Sequence, residues 1–135
     1  MASPSPNAAE RFRRAAEALD ADAMTETLAP DVCLASPVIA APVEGRERVR
    51  AVFGVLVELF EDFEYLHALA DEGGSTHVLV FRCRVGPEVI EGVDLLELDE
   101  HDQIAVFTVF IRPLPGLQAL AGEIAARLGA RPPKA

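Results

Sequence analysis

Residues 46–60 read RERVRAVFGVLVELF, and their apolar side chains recur at helical spacing. Charged residues lie largely off that apolar stripe, so the segment predicts an amphipathic helix from Arg46 to Phe60 that packs against another element. The stripe consists of Val49, Val52, Phe53, Leu56, Leu59 and Phe60.

Beyond this helix the hydrophobic period changes from helical spacing to two, which is typical of strands. The joints DEGGS, VGPE and DEHDQ are short and turn-like, so neighbouring strands should form an antiparallel meander. We expect the helix to lie on the concave side of that sheet. The predicted strands are Phe63–Ala70, Thr76–Val85, Val89–Leu98 and Ile104–Arg112. The expected helix-to-sheet contacts join Val49, Phe53, Leu56 and Phe60 to Phe81, Leu96, Phe107 and Val109.

The segment before residue 46 predicts two helices and one strand, and the segment after residue 112 predicts one helix. Pro30 should end the second helix, and prolines and a glycine should keep residues 36–45 irregular. The predicted elements are a helix from Asn7 to Leu19 capped by Asn7, a helix from Asp22 to Leu28, a strand from Asp31 to Ser36, and a helix that begins after Pro113 and Pro115 and ends at Gly129.

Length and charge limit the classes of function. The 135 residues suffice for one domain, and the formal net charge of −10 opposes binding to nucleic acid. The sequence shows neither a secretory signal nor a membrane-length apolar run, so we expect a cytoplasmic protein with no membrane partner.

Cys33 and Cys83 are far apart and have no metal-ligand spacing around them. We therefore expect both to be buried apolar residues, with no metal and no cofactor.

Three segments in a fixed order carry a family resemblance: LAPDV at 28–32, EGRERVRAVF at 44–53 and EGVDLLELDEHDQI at 91–104. Over residues 8–113 the chain resembles the nuclear transport factor 2-like superfamily, in its SnoaL-like and ketosteroid isomerase branch. The resemblance implies an α+β fold in which a cone-shaped, curved antiparallel sheet wraps around a long helix, with an additional C-terminal helix (a cystatin-like α+β roll). It implies a ligand entering the open end and a homodimer through the outer sheet face.

The resemblance also divides the chain into a disordered N-terminus at residues 1–6, a single SnoaL-like domain at 7–129 and a disordered tail at 130–135. It places Asp94 where ketosteroid isomerases keep a protonated, oxyanion-stabilising acid. Their catalytic tyrosine falls on Phe12 and their general base on Ser36. Neither residue can take a proton from carbon at neutral pH, so steroid isomerase activity is not expected.

Strand alternation puts Asp94 on an apolar stripe with Ile90, Gly92, Leu96 and Leu98. Asp94 is either a general acid or ligand anchor with a raised pKa, or a structural residue bonded to nearby backbone. The same alternation places Tyr65 and His67 together, facing either the cavity or solvent and a partner subunit. Ser36 either orients a ligand or bonds local backbone.

Other side chains receive structural or binding assignments. His77 is expected at the rim of the cavity, Arg82 and Arg84 on the outer face, and His101 at a hairpin tip. The predicted catalytic set is Asp94, Ser36, Tyr65 and His67. The predicted ligand-binding set is Phe12, Phe53, Phe60, Phe81, Cys83, Leu96, Phe107, Val109 and Ile111.

Three functions remain open at this stage. The chain is a cofactor-independent isomerase, cyclase, dehydratase or hydrolase acting on a small hydrophobic carbonyl- or hydroxyl-bearing molecule, or a module that binds such a molecule, or a dimerisation module with a vestigial pocket. The missing base favours binding over catalysis, whereas Asp94 favours a working pocket. A homodimer is expected through the outer residues Val78, Val80, Thr108 and Phe110.

Overall fold

The computed structural model describes residues 6–128 as four helices and six strands. The order along the chain is α1 (Ala8–Glu17), α2 (Ala21–Glu26), β1 (Leu28–Ala35), β2 (Val43–Glu44), α3 (Arg46–Leu59), β3 (Glu61–Ala70), β4 (Thr76–Val85), β5 (Glu88–Leu98), β6 (Ile104–Arg112) and α4 (Leu114–Leu128). Apart from Pro6, the predicted disordered ends at 1–6 and 130–135 lie outside the described residues, as does Gly129.

The six strands form one sheet in the order β2-β1-β6-β5-β4-β3. Strands β3 to β6 are the predicted antiparallel meander, and the mixed α+β fold is confirmed. Two features were not predicted: β1 pairs in parallel with β6, and the two-residue strand β2 adds an edge beyond it. Parallel pairing between strands so distant in sequence leaves no local pattern from which to predict it.

The first strand begins at Leu28, three residues earlier than predicted, and the second helix is correspondingly shorter. The register between β1 and β6 shifts after Leu28, and Pro30 lies in that irregular part, where no ladder donor is needed. The guanidinium of Arg46 donates two hydrogen bonds to the Leu28 carbonyl, at 3.1 and 2.5 Å. The first residue of α3 thus joins the start of that helix to the irregular part of β1.

The helix α3 lies on the concave side of the sheet, which confirms the central prediction. Three rings meet there: Phe12 of α1, Phe53 of α3 and Phe107 of β6 have centroids 5.0–5.8 Å apart. Such pairs contribute about 0.5–1.5 kcal/mol each beyond burial. The ring centroid of Phe60, the residue after α3, lies 6.2 Å from that of Phe81, so the end of the helix reaches β4.

The C-terminal helix α4 closes the other end of the concave space. It begins at Leu114, between the two prolines rather than after them, because a proline in the first turn costs no helical hydrogen bond. Leu120 and Ile124 pack against Ile90 in a second cluster of buried side chains. A Cβ on Gly116 would lie 2.2 Å from the Ile90 Cγ2 atom, so only glycine permits this close approach of α4 to β5. Within residues 6–128, no helix is long and apolar enough to cross a membrane.

The tip of the β5–β6 hairpin holds the start of α1. Asp102 accepts hydrogen bonds from the Ala8 backbone amide at 3.0 Å and from the Arg11 guanidinium at 3.1 Å. Asn7 is the N-cap of the same helix, and its side-chain oxygen accepts a hydrogen bond from the Glu10 amide. Asp102 has a φ of 56°, a left-handed conformation that Asp and Asn tolerate better than other non-glycine residues. One residue therefore joins a turn to a distant helix.

We expect Asp102→Ala to lower the free energy of unfolding by about 1–2 kcal/mol, since it removes a helix-capping acceptor and places alanine in a left-handed conformation. Asp102→Asn keeps one acceptor and the tolerated conformation, so it should lose less than half as much. Urea denaturation of both variants measures the difference. Equal losses in the two variants would contradict this role of the carboxylate.

Candidate ligand pocket

A pocket opens between α1, α3, α4 and the concave face of the sheet. The cavity volume is about 60 Å³, counted as the space open to the centre of a water-sized sphere, and it is more than one water needs. Among the described residues that line it, three carry side chains with oxygen: Ser36, Tyr65 and Asp94. The apolar lining comprises Phe12, Ala16, Leu19, Met24, Leu34, Pro37, Val38, Val52, Phe53, Leu56, Val57, Phe60, Phe63, Phe81, Phe107, Val109, Ile111, Leu120 and Ile124.

Asp94 lies in β5, opposite Leu79 of β4 and Val109 of β6, and its side chain points into the pocket. The residue is 6% exposed. Burial raises the pKa of its carboxyl to about 7, and the hydrogen bond from Tyr65 opposes that rise without cancelling it. Near neutrality Asp94 is therefore divided between its acid and carboxylate forms.

The hydroxyl of Tyr65 donates a hydrogen bond to Oδ2 of Asp94 at 3.2 Å. Its ring stands edge-on to Phe63 at 5.0 Å and to Phe81 at 6.4 Å, so packing fixes the direction of the hydroxyl. Burial, followed by the nearby Asp94 charge, raises the pKa of Tyr65 well above its ordinary value. Tyr65 consequently stays protonated and acts as a donor.

His67 lies outside the pocket, contrary to the expectation that it shares a face with Tyr65. The pairing of β3 with β4 shifts between these residues: Tyr65 is opposite Phe81, whereas His67 is opposite Val80. This β-bulge reverses the alternation, so His67 is exposed on the outer face of the sheet with Val80. The sequence pattern alone did not reveal the bulge.

Two members of the predicted ligand-binding set, Cys83 and Leu96, are packed in the core instead of lining the pocket. Both side chains point to the inner face of the sheet, as expected, but neighbouring side chains cover them. Burial raises the pKa of the Cys83 thiol to about 12, and the Asp94 charge adds to the rise, so this thiol stays protonated. The other seven residues of that set line the pocket, namely Phe12, Phe53, Phe60, Phe81, Phe107, Val109 and Ile111.

Ser36 borders the pocket, where its hydroxyl oxygen accepts a hydrogen bond from the Val38 amide at 3.2 Å. This local bond orients the hydroxyl toward its own loop. The pocket also includes Leu120 and Ile124 of α4, which the sequence analysis did not identify. Their helical spacing showed an apolar face, but nothing in the sequence indicated where that face packs.

Outside the pocket, charged side chains pair with one another. Arg82 contacts Glu64 at 2.6 Å and Arg84 contacts Asp62 at 2.8 Å, in line with their expected surface positions. His101 is exposed at its hairpin tip. Among residues 6–128, no three His, Cys, Asp or Glu side chains are grouped so that they could hold a metal ion.

Gly92, two residues before Asp94, shapes the floor of the pocket. A Cβ there would lie 2.2 Å from Cζ of Phe81 and 2.9 Å from the Phe110 carbonyl oxygen. The absence of a side chain lets the Phe81 ring lie across the strand, where it stacks on Phe63 at 5.3 Å. The aromatic floor beside Asp94 thus depends on glycine at this position.

The family model of the SnoaL-like domain matches residues 9–107 of the chain. A steroid delta-isomerase from Pseudomonas aeruginosa is 32% identical, over 90% of this chain and 89% of that one, with a TM-score of 0.85. A conserved bacterial protein with a cystatin-like fold from Silicibacter pomeroyi DSS-3 is 30% identical, over 91% and 86% of the two chains, with a TM-score of 0.86.

A protein from Kribbella flavida DSM 17836 is 19% identical, over 91% of this chain and 95% of that one, with a TM-score of 0.71, which shows a common fold alone. No curated protein matches the chain at a significant level.

The raised pKa of Asp94 predicts a specific pH dependence of stability. The fold favours the neutral carboxyl, so this contribution is complete below the ordinary pKa of 3.8 and is lost as pH rises through about 7. The full change is on the order of 4 kcal/mol. Because Asp94→Asn removes this titration, the variant should gain stability relative to the parent protein between pH 4 and pH 8.

Urea denaturation at several pH values measures that difference. Asp71→Asn is a control of opposite sign, because backbone hydrogen bonds, chiefly that from Thr76, lower the pKa of Asp71. It should lose stability relative to the parent protein as pH rises through the acidic range. A difference between parent and Asp94→Asn that does not vary with pH would show that Asp94 does not titrate as its burial implies.

Proposed function

The chain belongs to the SnoaL-like domain family, and on that premise we propose that its pocket binds a small, largely hydrophobic molecule through one carbonyl or hydroxyl oxygen, on which Asp94 acts as acid or base. The observation that carries the proposal is the hydrogen-bonded pair of Asp94 and Tyr65 in a wall that is apolar apart from Ser36. Pockets that hold small molecules combine apolar walls with a few convergent polar groups in this way.

The two side chains have different roles. In its protonated form Asp94 donates to a ligand oxygen, while the Tyr65 hydroxyl donates its one hydrogen to Oδ2 of Asp94 and holds the carboxyl in place. A donor held in this way, in a pocket of low polarity, stabilises negative charge that develops on a carbonyl oxygen. The carboxylate form of Asp94 accepts a proton instead, and a pKa of about 7 makes both forms available at neutral pH.

The rest of the pocket limits the chemistry to one ionisable pair. Phe12 has no titratable group, and the Ser36 hydroxyl is engaged by the Val38 amide. Asp94 must then both take and return the proton, as in enolisation, dehydration or a cyclisation that needs no cofactor. Steroid isomerisation, named for the Pseudomonas aeruginosa relative, is not the reaction that we propose here.

A second candidate is binding without turnover. The lack of a separate general base among the described lining residues favours it, because a single carboxyl has to be placed correctly for two proton transfers. A vestigial pocket with a purely dimerising role is less well supported, since retention of a buried carboxyl and its donor costs stability. Exchange of carbon-bound protons separates catalysis from binding.

We expect the protein to bind cyclohexanone and to accelerate exchange of its α-protons in deuterated water, followed by NMR. Asp94→Asn should keep binding within several-fold but slow the exchange by about 100-fold or more, because asparagine cannot accept the proton. Tyr65→Phe should weaken binding and slow exchange less, and His67→Gln on the outer face should alter neither. Exchange that is undiminished in Asp94→Asn would contradict the proposed role, whereas binding without exchange in the parent protein would support the binding module.

We propose further that the chain is a cytoplasmic homodimer of one domain spanning residues 7–129. The outer sheet face presents Val78, Val80, Thr108 and Phe110, the last of them 55% exposed. Partly apolar faces of this kind usually mark interfaces.

Phe110→Glu should convert a dimer to a monomer, because a buried, unpaired carboxylate opposes association. Sedimentation equilibrium at micromolar concentration measures the mass. Leu114→Glu, at the start of α4, is the control for added charge at an exposed apolar site. A monomeric parent protein, or a dimer that survives Phe110→Glu, would contradict an interface on this face.

A further inference from the structure

A second cleft lies between α1 and the edge strand β3, apart from the pocket that contains Asp94. About 300 Å³ of it is open to the centre of a water-sized sphere, compared with about 60 Å³ in the first pocket. The two linings share no residue. The cleft is lined by Ala9, Glu10, Arg13, Ala68, Leu69, Ala70, His77 and Leu79.

The β-bulge after Tyr65 creates this space. Beyond it the inward positions of β3 are Ala68, opposite Leu79, and Ala70, opposite His77. Before the bulge, the inward positions carry the rings of Phe63 and Tyr65. Small side chains replace large ones along the same strand, and the concave face is therefore left unfilled at this end.

Two opposite charges line the α1 wall of the cleft. Arg13 has its Nε atom buried without a hydrogen-bond acceptor among the described residues. Its distance of 3.6 Å to Oε1 of Glu17 is within ion-pair range but too long for a hydrogen bond. Glu10 lies one helical turn earlier, and no ion pair joins it to Arg13 among the described residues. Because the Nε atom is closed to solvent, the nitrogens that a ligand in the cleft could reach are Nη1 and Nη2, and Glu17 balances part of the positive charge.

His77 adds an acceptor to the strand wall. It is 8% exposed, and its Nε2 atom lies 2.9 Å from the Gly74 carbonyl oxygen. A carbonyl can only accept, so Nε2 carries the hydrogen. In the neutral ring, Nδ1 is then an acceptor. The cleft thus combines one cationic donor group with a carboxylate and an imidazole nitrogen.

We propose that this cleft binds a free α-amino acid with a small apolar side chain. Arg13 would hold the carboxylate, Glu10 and the His77 Nδ1 would accept from the ammonium group, and the alanine and leucine wall would contact the side chain. A simple carboxylate would meet Glu10, and a simple amine would meet Arg13. A ligand with both charges satisfies both, and residues three apart on a helix are about 5–6 Å apart at Cβ, which suits the two ends of such a head group.

Three probes of one skeleton test the proposal: L-valine, 3-methylbutanoate, which lacks the ammonium group, and isobutylamine, which lacks the carboxylate. Titrations followed by ¹H–¹⁵N NMR should show L-valine binding most tightly, with shifts at Arg13 and His77. Asp94→Asn should leave this binding unchanged, because Asp94 lies in the other pocket. If either single-charge probe binds as tightly as L-valine, or no probe binds at millimolar concentration, the proposal is wrong.

Variants assign each contact. Arg13→Gln and Glu10→Gln should each weaken L-valine binding at least about tenfold, as expected for loss of a charged hydrogen bond. Arg14→Gln, on the exposed side of α1, is the matched control and should have no effect. Ala68→Leu should block the cleft while leaving its charges in place. Binding that persists in both Arg13→Gln and Ala68→Leu would place the ligand elsewhere and overturn the proposal.

Discussion

The structure depends on the contact of three aromatic rings, Phe12, Phe53 and Phe107, that joins α1, α3 and β6. A curved sheet has one concave face, and unless a helix packs on it the apolar side chains of that face stay exposed to water. Because α3 enters that space with Phe53 buried, the sheet must bend around it, and α1 and α4 can cover only the margins. The pocket is the part of the concave space that these helices leave unfilled.

Local periodicity was sufficient to predict most of the fold. The helix at α3 and the four strands of the meander follow from spacings that depend on neighbouring residues, and they are correct to within two residues. Parallel pairing of β1 with β6 and the docking of α4 depend on contacts between distant segments, which leave no periodic trace. For the same reason Leu120 and Ile124 could not be assigned to the pocket.

The candidate site was predictable to the same extent. Alternation correctly oriented Asp94 because β5 pairs regularly with β4 along its length. It failed for His67, because one extra residue in β3 reverses every later side chain. Cys83 and Leu96 show a different limit. The alternation along a strand predicts the face on which a side chain lies, but packing decides whether a ligand can reach a side chain on that face.

The bulge in β3 also bears on solubility. This strand is the free edge of the sheet on the side opposite β2, and an edge strand can pair with strands of other molecules. Its first half carries Glu61, Asp62 and Glu64, whereas Leu69, in the second half, is 62% exposed. These carboxylates pair with Arg82 and Arg84, and an approaching strand would have to bury the charged side chains along the first half. The bulge interrupts the regular row of donors and acceptors between the halves. The irregularity that turns His67 outward therefore also protects this edge against aggregation.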